Sequence, residues 1–332
     1  MKKFLKVFLI VFLTVVVVLA TTVLIMYFHR SDPSDKENYA TTNPWIFNDT
    51  KIGAHRCGGG DAPEETLRAF RTCLENDKYK ADILEFDLRL TKDNQLVLLH
   101  DDELDRTSDS EEVFGEKGTN VYDKTYAELR QLNMGAKFIS EDNKKPYENL
   151  SGNQVPDDIR IFKFTDALNY ILSKGDYQFI MEIKDEGERG RKAADLVYAE
   201  LQKRHLTNKV ILGTFNPEVF AYLRNTYPDV YLCGDTAEAL NFYGSSLINS
   251  PTYTPNCQSL ILPYSDYSES YMLNLGTTRC VNYAHKNNLS MIYWTVNDED
   301  DMRYLMSIGA DVILTDHPDK LYEVKYGSLK YD

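Results

Sequence analysis

Residues 83–101 read ILEFDLRLTKDNQLVLLHD, and the first six of them decide the architecture. A strand sends alternate side chains to opposite faces. Glu85 and Asp87 therefore share one face of residues 83–88, while Leu84, Phe86 and Leu88 share the other. Such a strand packs its apolar face on helices and turns its carboxylates into a barrel interior. The polar turn TKDN at 91–94 follows, so QLVLLH at 95–100 reads as an extra hairpin arm that ends at His100-Asp101.

Outward from this strand, short β-rich runs recur at 52–55, 83–88, 177–183, 210–212, 230–232, 260–262, 291–296 and 312–314. Most alternate with helix-compatible stretches such as 64–75, 164–172, 190–203, 217–225, 277–287 and 300–308. Alternating strands and helices imply parallel pairing with right-handed crossovers. Eight units between residues 51 and 325 predict an α/β fold, a (β/α)₈ TIM barrel. The alternative, a doubly wound open sheet, would carry a glycine-rich phosphate loop after its first strand; Gly58-Gly59-Gly60 does not fit one. The polar region at about 102–158 is too long for a simple connection and reads as an insertion at the barrel mouth that covers the site.

The third strand repeats the pattern, with Glu182 and Lys184 facing one way and Met181 and Ile183 the other. Buried charges cost several kcal/mol unless paired or bound to metal. Glu85, Asp87 and Glu182 at the C-terminal ends of barrel strands suit one hard divalent cation, Mg²⁺ or Ca²⁺. A structural salt-bridge cluster around Lys184 is the alternative. His55 and His100 each end a strand run beside this cluster, where a neutral imidazole and an imidazolium can work together as base and acid near neutral pH. Arg56 offers a planar fork of donors to phosphate oxygens. His29, His205, His285 and His317 read as solvated or structural.

These residues carry a resemblance. His55-Arg56 followed by Ala62-Pro63-Glu64-Glu65-Thr66-Leu67-Arg68-Ala69-Phe70 resembles the HRG…APENT-x-x-AF opening of the glycerophosphodiester phosphodiesterase family. Glu85-Phe86-Asp87, Thr91-Lys92-Asp93, Val97, His100-Asp101 and Leu104-Asp105-Arg106-Thr107 are similar to its next block. Glu182-Ile183-Lys184, Trp294-Thr295-Val296-Asn297 and the segment 309–318 resemble its E-x-K, WTVN and closing motifs. The resemblance implies metal-dependent hydrolysis of a glycerophosphodiester to an alcohol and sn-glycerol 3-phosphate. It assigns Glu85, Asp87 and Glu182 as metal ligands, His55 and His100 as the acid/base pair, and Arg56 and Lys184 as phosphate contacts. Trp294 would stack on the glycerol or the leaving group. Two other readings stay open, a phospholipase D-like barrel acting on lipids and a catalytically reduced cell-surface binding barrel.

Three positions depart from the family pattern. Cys57 stands for the glycine of HRG, Glu65 for the asparagine of PENT and Val312 for a glycine of the closing motif. Glu65 is expected to face solvent at a helix N-terminus, where its charge complements the helix dipole. Facing the site, it would bind metal or weaken phosphate affinity.

Residues 7–28, VFLIVFLTVVVVLATTVLIMYF, carry no charge. As a helix they span roughly 33 Å, enough for one pass of a membrane. Lys2, Lys3 and Lys6 precede the run and acidic residues follow it, which places the N-terminus in the cytoplasm and the barrel outside, at the cell membrane. A cleavable signal ending near Val18-Leu19-Ala20 is the alternative, although its apolar core would be unusually long. Residues 1–28 thus read as a cytoplasmic stub and anchor, 29–50 as an extracytoplasmic linker. The balance of 37 basic against 51 acidic groups, −14 overall, argues against nucleic acid as a partner. A small molecule or an envelope polymer of glycerophosphate remains as substrate. Five scattered cysteines without a CxxC pair read as buried free thiols.

Overall fold

The computed structural model describes residues 2–28, 30–76, 79–264 and 273–327, with side chains from 6–21 and from residue 30 onward. Ten strands are present among them: β1 (Lys51–Ala54), β2 (Ile83–Leu90), β3 (Leu96–Leu98), β4 (Phe162–Lys163), β5 (Gln178–Ile183), β6 (Val210–Gly213), β7 (Tyr231–Leu232), β8 (Ser259–Pro263), β9 (Ser290–Trp294) and β10 (Val312–Thr315). Eight are parallel neighbours in the order β7-β6-β5-β2-β1-β10-β9-β8. The ends meet, because Gln258 N donates to Leu232 O at 3.0 Å and Gly234 N to Ser259 O at 2.9 Å. A helix follows each barrel strand in the connection to the next, which completes the expected barrel. Two of these, Thr236–Leu247 and Pro318–Tyr326, are ones the sequence reading does not single out.

The hairpin arm is β3, antiparallel to β2 with Leu98 opposite Leu88. Its far edge pairs with β4, which alternation in the sequence does not reveal. The first helix begins at Leu67 rather than at 64. Glu65 holds a left-handed φ of 56°, and Thr66 caps the helix by accepting from Ala69 N. The insertion has its own small core of Val97, Leu99, Leu104, Val121, Leu129, Leu132, Met134 and Ile161. It stands beside the mouth as one wall, tied to the first helix by Arg68 and Arg71 on Asp158.

Alternation sends Leu84, Phe86 and Leu88 outward to the helices, and Ile83, Ile180, Ile211, Ile292 and Val312 inward at the base. Trp45 caps that inner layer and is fully buried. It arrives on residues 30–47, which form a strap down the barrel wall rather than a loose linker. Arg30 pairs with Asp301 at 2.5 Å, and Ser31 N donates to Tyr304 Oη. Below them Asn282 bonds Asp35 O and Glu37 N, and Asn288 accepts from Thr42 N and Asn43 N. At the base Asp311, fully buried, accepts from Phe47 N, Met291 N and His285 Nε2. The sequence hides the strap because its partners are single side chains 245 to 273 residues away, which impose no period on it.

The N-terminal helix is Lys2–Phe28, and its side chains at 6–21 are exposed. The expected membrane span is not supported: among the described residues no helix is long and apolar enough to cross a membrane. All five cysteines are buried free thiols, as expected.

Candidate active site

The site is built where β1, β2 and β5 end. β2 and β5 run in register with Asp87 opposite Glu182, so alternation brings Glu85, Asp87, Glu182 and Lys184 to one floor. Lys184 Nζ lies 2.8 Å from Glu182 Oε1 and 3.1 Å from Asp87 Oδ1. After β1 the chain turns sharply through Arg56 and Cys57, both with positive φ, and Gly58. Arg56 N donates to Glu85 Oε2 at 2.8 Å, which fastens that turn to β2. Cys57 accepts the left-handed conformation that glycine would adopt freely, and its side chain points into the outer core, fully buried. His55 keeps its place at the mouth.

Each histidine is held through Nδ1 by a carboxylate. His55 Nδ1 lies 2.7 Å from Asp316 Oδ1, and Asn297 Nδ2 donates to the other oxygen at 2.8 Å. His100 Nδ1 lies 2.6 Å from Asp101 Oδ1, and Arg89 clamps the His100 carbonyl at 2.7 and 2.9 Å. With Nδ1–H donated to a carboxylate, Nε2 of both rings is left for chemistry. Their acidities diverge. Burial disfavours the charged form of His55, but the Asp316 bond and the Glu85 charge outweigh it and raise its pKa. Burial dominates at His100 and lowers its pKa, despite Asp101. Burial also opposes ionisation of Asp316, yet the hydrogen bond from His55 brings it down to about 2.

The carboxylates differ as well. Burial and neighbouring Asp87 push Glu85 up to about 7. Burial also raises Glu182. At Asp87 burial is outweighed by Lys184, His100 and Arg56, so its pKa falls to about 2. Glu65 does not face solvent. It is buried, and its Oε1 accepts from Asp87 N at 2.6 Å. Asp87 lies within β2 but past the end of β1, which pairs with β2 only at Ile83 and Leu84, so the Glu65 carboxylate supplies the partner of its backbone N–H. Burial and the charge of Asp87 hold Glu65 well above the usual carboxylate range.

Glu64 joins the first loop to the insertion. It accepts from Arg56 at 3.0 Å and from two Arg106 nitrogens at 2.7 and 2.9 Å, and Arg106 also pairs with Asp101. Trp294 ends β9 with its ring centroid 6.3 Å from His55 and 6.1 Å from Phe215. Of the other histidines, His285 is locked on Asp311 and His317 on Asp61; His29 lies outside the described residues. All the residues expected to act therefore surround one mouth. The sequence assigns no role to Asp316, Asn297, Asp101, Arg89 or Glu64; all but Arg89 stand there only as members of the quoted motif segments.

The three carboxylates fit a divalent cation in composition more than in present geometry. Asp87 Oδ2 is buried without a hydrogen-bond partner, and two neighbouring acids resist ionisation without added positive charge. Their oxygens are splayed, however, because the Lys184 ammonium stands between Asp87 and Glu182. Among the described residues only Asp61, His317 and Asp319 bring three ligand atoms within 4.8 Å of one another.

A family model for the glycerophosphoryl diester phosphodiesterase family matches residues 55–320, from the first site histidine to the last helix. The chain belongs to this family. An uncharacterized protein of Bacillus subtilis is 29% identical over 82% of this chain and 96% of its own length. A glycerophosphodiester phosphodiesterase of Bacillus altitudinis is 24% identical over 83% of this chain and 98% of its own. In fold, the chain is similar to an Oleispira antarctica phosphodiesterase solved in complex with the product sn-glycerol-3-phosphate. That similarity has a TM-score of 0.60 at 20% identity, covering 83% of this chain and 96% of the other. The chain is thus an enzyme of the phosphoric diester hydrolase class, with a barrel that this family shares.

Proposed function

We propose that the barrel hydrolyses glycerophosphodiesters to an alcohol and sn-glycerol 3-phosphate, with His100 as general base and His55 as general acid. The observation that carries this reading is the pair of carboxylate-held imidazoles whose pKa values are pushed in opposite directions around Lys184 and Arg56. Neutral His100 takes a proton from the attacking water through Nε2. Protonated His55 gives one to the departing alcohol. Lys184 and Arg56 offset charge that builds on the phosphoryl oxygens in the transition state. Trp294 offers the glycerol carbons an apolar face. Glu85, Asp87 and Glu182 would hold Mg²⁺ or Ca²⁺, which when bound polarises a phosphoryl oxygen.

The experiment is release of glycerol 3-phosphate from sn-glycero-3-phosphocholine by the full chain. Turnover is expected to vanish on chelation and to return with Mg²⁺ or Ca²⁺; undiminished turnover in chelator would remove the metal from the reading.

The acidities also predict a pH profile. Activity requires neutral His100, so it is lost as pH falls through a pKa below 6.5. It requires protonated His55, so it is lost as pH rises through a pKa above 6.5. The result is a bell whose top includes pH 6.5. Asp316→Asn removes the charge that raises His55, so the alkaline limb of kcat/KM should move to lower pH while the acid limb stays. An unmoved alkaline limb would sever His55 from that limb.

We also place the barrel outside the cell membrane. This rests on the uncharged run at 7–28 between a lysine-rich start and an acidic continuation, and on the all-round apolar exposure of residues 7–19. Protease digestion of intact cells should degrade the barrel; full protection would place it inside.

A further inference from the structure

The loop after β1 meets the loop after β10 away from the cavities around Lys184, which none of Asp61, Glu141, His317 and Asp319 borders. Gly60 N donates to Asp316 O at 3.0 Å, and the ring of the next residue, His317, lies against Gly60. A Cβ at Gly60 would stand 2.3 Å from His317 Cε1, so glycine is what leaves the ring its seat. There His317 Nδ1 lies 3.0 Å from Asp61 Oδ1 and 3.6 Å from Glu141 Oε1, which comes from the insertion. Asp61, His317 and Asp319 bring three ligand atoms within 4.8 Å of one another. In a tetrahedral zinc site, bonds of about 2.0–2.1 Å set neighbouring ligand atoms about 3.3 Å apart. The two histidine–carboxylate separations fall on either side of that edge.

Both aspartates are held from behind. Tyr79 Oη donates to Asp61 Oδ2 at 3.2 Å and Lys320 N to Asp319 Oδ1 at 2.7 Å, which leaves the other oxygen of each for the cluster. Outer partners of this kind fix the orientation of metal ligands. The cluster is also short of positive charge, because burial and the charge of Asp319 raise the Asp61 pKa against the pull of His317. Lys320 pairs with Glu141 at 2.5 Å on the surface, and an exposed pair is worth too little to hold Glu141 from an entering ion.

We propose that Asp61, His317 and Asp319, joined by Glu141, bind a divalent transition-metal ion of the Zn²⁺ class at a site separate from Glu85, Asp87 and Glu182. One imidazole among carboxylates suits Zn²⁺, whereas the all-oxygen set on the barrel floor suits Mg²⁺ or Ca²⁺. The ion ties the loop after β1, which carries Arg56, to the loop after β10, whose Asp316 holds His55 Nδ1. With Glu141 it draws the insertion onto the same two loops. It touches no reacting atom, so its part is structural, and the hydrolase reading stands or falls without it.

The test is calorimetric titration of Zn²⁺ into the full chain in non-ionic detergent, stripped with chelator and then held in excess Mg²⁺. One Zn²⁺ should bind per chain, and should still bind to Glu85→Gln. His317→Asn and Asp61→Asn should each weaken it at least about 100-fold, since loss of an outer partner alone costs 10–100-fold. Zn²⁺ should raise the thermal midpoint of the parent and leave that of both variants unmoved. A cooperative transition of each variant in chelator shows that it folds, and either variant alone suffices for the comparison. Zn²⁺ binding that is lost in Glu85→Gln and kept in a folded His317→Asn or Asp61→Asn places the ion on the barrel floor and overturns the proposal. Absence of Zn²⁺ binding to the parent overturns it as well.

Discussion

Replacement of His100 by alanine should lower kcat on a glycerophosphodiester by about 10²–10⁴-fold, the usual contribution of a positioned general base. The imidazole is pointed by two restraints that the substitution leaves in place, the Arg89 clamp on its carbonyl and the Asp101–Arg106–Glu64 chain. The loss should therefore be chemical rather than structural. The thermal midpoint of the variant should stay near that of the parent, because His100 is only partly buried. KM should change little if the ring acts on water rather than on substrate binding. Glycerol 3-phosphate release under saturating substrate checks this directly. A loss below about tenfold would deny His100 the role of base.

Trp45→Ala should destabilise the protein by about 3–5 kcal/mol, the range for truncating a fully buried large aromatic side chain. Trp45 closes the barrel floor against Ile83, Ile180, Ile211, Ile292 and Val312, and residues 43–47 are tied to Asn288 and Asp311. The alanine variant leaves a cavity under those branched side chains that a closed sheet cannot collapse to fill. Equilibrium denaturation should show a lower midpoint at an unchanged slope. Activity of the folded fraction should be retained, because the floor layer lies between Trp45 and the carboxylates. A loss smaller than about 1 kcal/mol would mean that the strap contributes little to closure.

The barrel was legible because strands buried on both faces advertise themselves: 83–88 and 177–183 are apolar runs broken only by Gln178 and inward carboxylates, and 312–314 is unbroken. Those same charges disclosed Glu85, Asp87, Glu182 and Lys184, since a carboxylate flanked by strand residues needs an explanation. His55 and His100 were legible as strand endings. What stayed hidden depends on three-dimensional neighbours. Asp316 meets His55 across 261 residues, and Asn297 reaches Asp316 across a barrel edge. Glu65 looked like a helix-end carboxylate until the unpaired Asp87 N–H gave it a partner. The insertion was legible as a polar excess, but not that it would stand as a wall and send Arg106 to Glu64.

Asp311 joins the two ends of the polypeptide. One carboxylate receives the strap at Phe47, the edge of β9 at Met291 and the helix residue His285, and the first of these bonds closes a loop of 264 residues. During synthesis the strap emerges first, while Asn282, Asn288, Asp301 and Asp311 emerge near the end. Long-range closures of this kind form late. The base of the barrel is therefore sealed only once the last strand is in place, and a nascent chain stopped before residue 311 carries Trp45 with nowhere to put it.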